Sequence, residues 1–95
     1  MHIKTYTIGQ EVRVTGTFTD IANMLIDPTT IFLEINPPGT APAVIYQYLV
    51  DVALVRLSKG VYYFDVNANS VGIWRYKFYS TGVGQAAQRG TFNVD

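Results

Sequence analysis

The feature that most constrains this chain is strict alternation of apolar and polar residues. In Glu11-Val12-Arg13-Val14-Thr15-Gly16-Thr17-Phe18-Thr19, Val12, Val14 and Phe18 share one face, and Glu11, Arg13, Thr15 and Thr17 share the other. Successive side chains of a β-strand point to opposite faces, whereas a helix would scatter these residues around its axis. A second segment, Gly72-Ile73-Trp74-Arg75-Tyr76-Lys77-Phe78-Tyr79, repeats the pattern with Trp74, Tyr76 and Phe78 inward and Arg75 and Lys77 outward. Gly16 falls on the apolar face of the first segment. A glycine there leaves space for a large facing ring or marks a bulge.

Similar strands follow from the remaining sequence. Thr30 to Asn36 alternates with Ile31, Leu33 and Ile35 on one face, and Asn36-Pro37-Pro38-Gly39 stops it, because proline has no amide proton to give a ladder. Ala43 to Leu49 and Ala53 to Leu57 read as strands separated by a break at Asp51, and Ser58-Lys59-Gly60 as a tight turn. Val61 to Val66 turns Tyr62, Phe64 and Val66 inward, Asn67 to Ser70 is a polar turn, and Gln88 to Val94 closes the chain. Asp20 to Pro28 reads as a loop whose Ile21, Met24, Leu25 and Ile26 are expected to fold back over one end of the core. Ser80 to Ala87 reads as a glycine-containing loop. Seven or eight short strands with turn signals every eight to twelve residues predict an immunoglobulin-like β-sandwich of antiparallel strands. The 95 residues make one domain, spanning 1–95.

Charge and composition narrow the function. Formal net charge is zero, and Lys4, Arg13, Arg56, Lys59, Arg75, Lys77 and Arg89 are scattered and mostly solitary in sequence. A nucleic-acid binder is not expected, since it needs a basic stripe to neutralise phosphates. Cysteine is absent, which excludes disulfides, thiolate metal sites and cysteine nucleophiles. Met1-His2-Ile3-Lys4-Thr5 opens no signal-type apolar stretch, and no run approaches the ~20 apolar residues of a membrane helix. A soluble chain made in the cytoplasm, without a membrane partner, is the expectation.

Catalysis has little to work with. His2 is the single histidine, at a terminal position of the kind that tends to be mobile. Ser58, Ser70 and Ser80 lack both a glycine-flanked elbow and a histidine to activate them. Asp20, Asp27, Asp51 and Asp65 are isolated in sequence, with no calcium-loop spacing. Asp20 and Asp27 would have to meet across their loop to hold calcium, whereas capping of turns explains both positions. Gly82-Val83-Gly84 is not followed by a helix, so a hairpin tip is favoured over a phosphate cradle. No enzyme, no cofactor and no metal is expected.

Aromatic residues remain. Trp74, Tyr62, Phe64, Tyr76, Phe78, Phe18 and Phe92 have the inward phase and are assigned to the core. Phe32, Tyr63 and Tyr79 have the outward phase, and Tyr46 and Tyr48 lie on a strand whose inward face the pattern leaves open. These five are the candidate protein-interaction residues, because exposed aromatics are enriched at interfaces. They would equally stack on sugars. Open sheet edges are a further place for a partner, or another copy of the chain, to add a strand.

Several of these segments form a recognisable series. F-T-D at Phe18–Asp20 is followed by D-P-T at Asp27–Thr29 and P-P-G at Pro37–Gly39, then G-V-Y at Gly60–Tyr62, G-I-W-R-Y at Gly72–Tyr76 and a terminal G-T-F-N-V at Gly90–Val94. The series resembles a family of small Ig-like proteins encoded in the structural modules of tailed bacteriophages and prophages. Bacterial surface Ig-like modules share several of these elements. The resemblance implies a virion structural protein, located in the virion after synthesis in the host cytoplasm. Its role would be capsid decoration (cement) on the major capsid protein, or a head–tail or tail accessory part. A carbohydrate-binding or adhesion module, with a glycan as ligand, is the alternative. The motifs carry fold rather than activity, so the resemblance assigns no functional residue.

Overall fold

The structure is a computed structural model that describes residues 4–82 and 87–95. His2, and Val83 and Gly84 of Gly82-Val83-Gly84, lie outside the described residues. Eight strands are present: β1 (Thr5–Tyr6), β2 (Glu11–Thr17), β3 (Thr30–Asn36), β4 (Val44–Gln47), β5 (Val55–Ser58), β6 (Val61–Asn67), β7 (Gly72–Thr81) and β8 (Ala87–Val94). They form a five-stranded sheet of order β1-β8-β7-β3-β4 and a three-stranded sheet of order β2-β6-β5. No helix occurs among the described residues, so the chain is all-β.

The alternating segments do what their period requires. Along β2 every second residue is buried, and β3 and β6 repeat the rhythm. Val12, Val14, Ile31, Leu33, Ile35, Tyr62, Phe64, Val66, Trp74, Phe78, Phe92 and Val94 join one core, drawn from both sheets. Each large apolar side chain so enclosed contributes roughly 1.5–3 kcal/mol relative to exposure. At Gly16 the two sheets approach closely: a Cβ there would lie 2.5 Å from the ring of Phe78. The space for a facing ring read from the sequence is therefore occupied by Phe78. Trp74 is buried on β7, stacked at 5.7 Å on Phe92 of the neighbouring strand, and its indole N–H donates to the Ser70 carbonyl at 3.0 Å.

Four expectations need correction. The strands are not all antiparallel: β1 runs parallel to β8, with Thr5 opposite Asn93 and Tyr6 opposite Val94. The Asp20–Pro28 loop does not lay its apolar residues on the core. Ile21, Met24 and Leu25 are exposed, and only Ile26 packs inward. The loop is tied to itself, because Asp20 Oδ1 accepts from the amides of Ala22 and Met24 and Thr19 bridges to Leu25. Ser80 is not a loop residue; it is buried on β7, paired with Ile31. The strand expected over Ala43–Leu49 ends at Gln47, where a turn forms: the amide of Asp51 donates to the Gln47 carbonyl and its carboxylate accepts from the Gln47 amide, both at 2.8 Å.

Candidate protein-docking face

The five aromatic candidates separate into three groups. Phe32 on β3 and Tyr79 on β7 are register partners and stack at 5.1 Å on the outer face of the five-stranded sheet. Tyr63 lies on the outer face of the other sheet, covered by the Arg13 guanidinium at 3.9 Å. Tyr46 and Tyr48 point inward, packing on Phe64 at 4.4 Å and on Tyr62 at 5.1 Å. Strand phase alone left their direction open. Pairing of β4 with β3 settles it, because Tyr46 sits opposite the buried Leu33.

Beside the Phe32–Tyr79 stack lies a cleft of about 450 Å³ whose walls include Glu34, Asn36, Arg75, Lys77, Arg89 and Thr91. Three strands supply it through their outward phase. Asn36 pairs with Arg75 and Glu34 with Lys77 across β3 and β7, while Arg75 pairs with Thr91 and Lys77 with Arg89 across β7 and β8. The cations that look solitary in sequence are thus gathered, three of them against the single carboxylate of Glu34. Glu34 accepts a hydrogen bond from the Asn36 amide at 3.0 Å, and the Lys77 ammonium lies 5.2 Å from the Tyr79 ring. None of the three cations forms an ion pair among the described residues. Outward alternation of Arg75 and Lys77 was legible in sequence, but the register that brings Arg89 beside them was not.

Two pairs of charges elsewhere are matched. Arg13 donates to both oxygens of Asp65, at 2.8 and 3.1 Å, which lowers the Asp65 pKa. At one end of the core Asp27 accepts four donors. Arg56 Nε and Nη2 reach it at 3.2 and 2.9 Å, and the Gly60 amide and the Tyr62 hydroxyl each at 2.9 Å. Arg56 first, and then the Gly60 amide, holds the Asp27 carboxyl well below the usual carboxylate range. Burial, reinforced by the Asp27 carboxylate, pushes the Tyr62 phenol up to about 12. Asp20 and Asp27 do not meet: Asp20 serves its own loop, and Asp27 serves the turn at Gly60. Among the described residues no cluster of three metal-ligating side chains forms.

A third feature lies at the sheet edge. From β4 to β5, Val44, Ile45, Leu49, Val50, Val52 and Leu57 are all exposed, with Val52 at 95% of full accessibility. β4 ends the five-stranded sheet and β5 ends the three-stranded one, so this apolar segment joins two open edges. No family model, no curated protein and no solved structure matches the chain.

Proposed function

We propose that this chain is a non-enzymatic, immunoglobulin-like module that attaches to an assembled protein lattice, as a virion structural protein of the capsid-decoration kind. Strand order supports the Ig-like reading. In the lettering of that fold, β2, β6 and β5 take the places of strands B, E and D, and β4, β3, β7 and β8 those of C′, C, F and G. One departure is that the buried tryptophan stands on β7, the F position, rather than on C.

The observation that carries attachment is the exposed apolar segment at the joined edges of β4 and β5. Six large aliphatic side chains in fourteen residues, Val44 to Leu57, are exposed there. Grouped exposed apolar side chains mark interaction sites, and an open strand edge adds unpaired backbone donors and acceptors. Arg13 with Asp65 and Arg56 with Asp27 are engaged within the domain, which suits a supporting role. The resemblance to phage structural modules supplies the kind of lattice.

Co-sedimentation with capsid shells of the virus or prophage that carries the gene tests this reading, with mass spectrometry of purified virions alongside. Stoichiometric pelleting and presence in virions are expected. A protein that stays in the supernatant and is missing from virions refutes it. Specific hits on a glycan array in that case would indicate the adhesion alternative.

A further inference from the structure

We propose that the cleft on the outer face of the five-stranded sheet is a docking site for an acidic segment of the partner protein, one carrying closely spaced Asp or Glu side chains. The proposal deepens the protein-binding reading above and rests on it for the identity of the partner. Its foundation is an excess of cations on this face: Glu34 stands opposite Lys77, while Arg75 and Arg89 have no carboxylate as register partner. Lys77 and Arg89 stand directly opposite each other on β7 and β8, and like charges in that relation are destabilising. Arg75 is two residues from Lys77 on the same face of the same strand, and its partner Thr91 adds no charge. Elsewhere the fold shows how its arginines are satisfied: Arg13 and Arg56 each hold a carboxylate through two nitrogens. At the cleft the arginines have no such carboxylate among the described residues. The complementary group is one that a partner would bring.

The composition of the cleft selects the class of anion. Glu34 sits among the cations, and a densely charged phosphate backbone would be pressed against it. A peptide has spaced carboxylates and can pass between Glu34 and the cations. Arginine offers a planar fork suited to a carboxylate, and Arg75 and Arg89 stand on adjacent strands to receive two of them. Thr91 adds a hydroxyl for the peptide backbone, and the Phe32–Tyr79 stack beside the cleft gives an apolar side chain a surface to cover. Attraction between exposed charges steers association and is screened by salt.

The test uses the full chain, labelled with nitrogen-15, and a ten-residue peptide of alternating glutamate and glycine. A peptide with glutamine in place of glutamate, a single-stranded oligonucleotide and inorganic phosphate are the comparison probes. At 150 mM salt the acidic peptide is expected to shift the amide signals of Asn36, Arg75, Lys77, Arg89 and Thr91. The Arg75→Gln, Arg89→Gln double variant is expected to bind about ten-fold more weakly, a change two exposed ion contacts can supply. Arg13→Gln, on the other sheet, should bind as the parent does. Shifts that centre on other residues, equal binding of the glutamine peptide, or tighter binding of the oligonucleotide or of phosphate would overturn the proposal. Capsid co-sedimentation separates it from the broader reading. A double variant that still pellets with the shells removes the cleft and leaves lattice attachment standing. A parent that binds the acidic peptide at the cleft but never pellets does the reverse.

Discussion

Two charged regions of this molecule use the same residue types for opposite ends. At the clasp, Asp27 is surrounded by Arg56, the Gly60 amide and the Tyr62 hydroxyl, all within 3.2 Å. At the cleft, Arg75, Lys77 and Arg89 share a face with one carboxylate and form no ion pair among the described residues. The clasp joins a loop, a turn and a core side chain that are 29 to 35 residues apart, so its charge is spent on closing the fold. The cleft lies on the outer face of the five-stranded sheet, where its lining side chains alternate with those that enter the core. Charge satisfied internally is a stability device, while charge gathered and left unmatched points outward. Substitutions in the two regions should therefore move stability in different directions.

The largest effect is expected at Gly60. Its φ is +73°, and a Cβ would lie 2.8 Å from the Phe18 carbonyl oxygen and 2.9 Å from that of Ile26. Gly60→Ala should cost about 2–3 kcal/mol by urea denaturation, from left-handed strain and displacement of the amide that serves Asp27. A variant as stable as the parent would show that the turn relaxes freely and that the clasp is not closed by this contact. Tyr62→Phe is milder. It removes one donor from a carboxylate that keeps three others, and about 1 kcal/mol is expected.

The clasp should also write itself into the pH dependence. Asp27 is depressed in the folded state, so its contribution is complete above the ordinary carboxylate pKa and is lost as pH falls below that value. Tyr62 is raised, so its contribution is complete below pH 10 and is lost between there and about 12. Melting temperature is thus expected to fall at both limits. Asp27→Asn should flatten the acid limb, and Tyr62→Phe the alkaline one. Unchanged limbs in these variants would assign the pH dependence to other groups and dissolve the clasp as a linked unit.

Much of the fold was legible because alternation reports burial directly. Val12, Val14, Phe64 and Phe78 needed only their phase to be placed, and Gly16 needed only its position on the apolar face. Other features depend on contacts that no local pattern records. β1 has two residues, too few to show a period, and its parallel pairing depends on where β8 ends. Ile21 is apolar yet fully exposed, because Asp20 and the Thr19–Leu25 bridge fold the loop on itself. Asp27 looks like a turn-former beside Pro28, and nothing in D-P-T announces Arg56 and Tyr62 as partners. The cleft needs the register of three strands at once, which is why its cations read as solitary in sequence. Of the aromatic candidates, Phe32, Tyr63 and Tyr79 took their outward direction from phase alone, since each stands on a central strand.

The smallest expected change in stability carries the sharpest contrast between the two regions. Arg89→Glu converts a like-charged pair opposite Lys77 into an opposite-charged one. Cross-strand pairs of this kind are worth roughly 0.2–1 kcal/mol, so the variant should be more stable than the parent by about 0.5 kcal/mol. At the clasp, removing a charge unpairs its partners and destabilises; at the cleft, reversing a charge pairs one and stabilises. The same variant places a second carboxylate in a cleft that already holds Glu34, and binding of an acidic peptide there should be lost. Thermal denaturation together with the peptide titration checks both halves. If Arg89→Glu lowers stability, Arg89 has a favourable role within the domain, and the distinction between charge that closes the fold and charge left for a partner fails at this position. Gained stability with lost binding would mean that the repulsion between Lys77 and Arg89 is retained at the expense of the fold, which is the pattern expected of a surface built to meet an acidic partner.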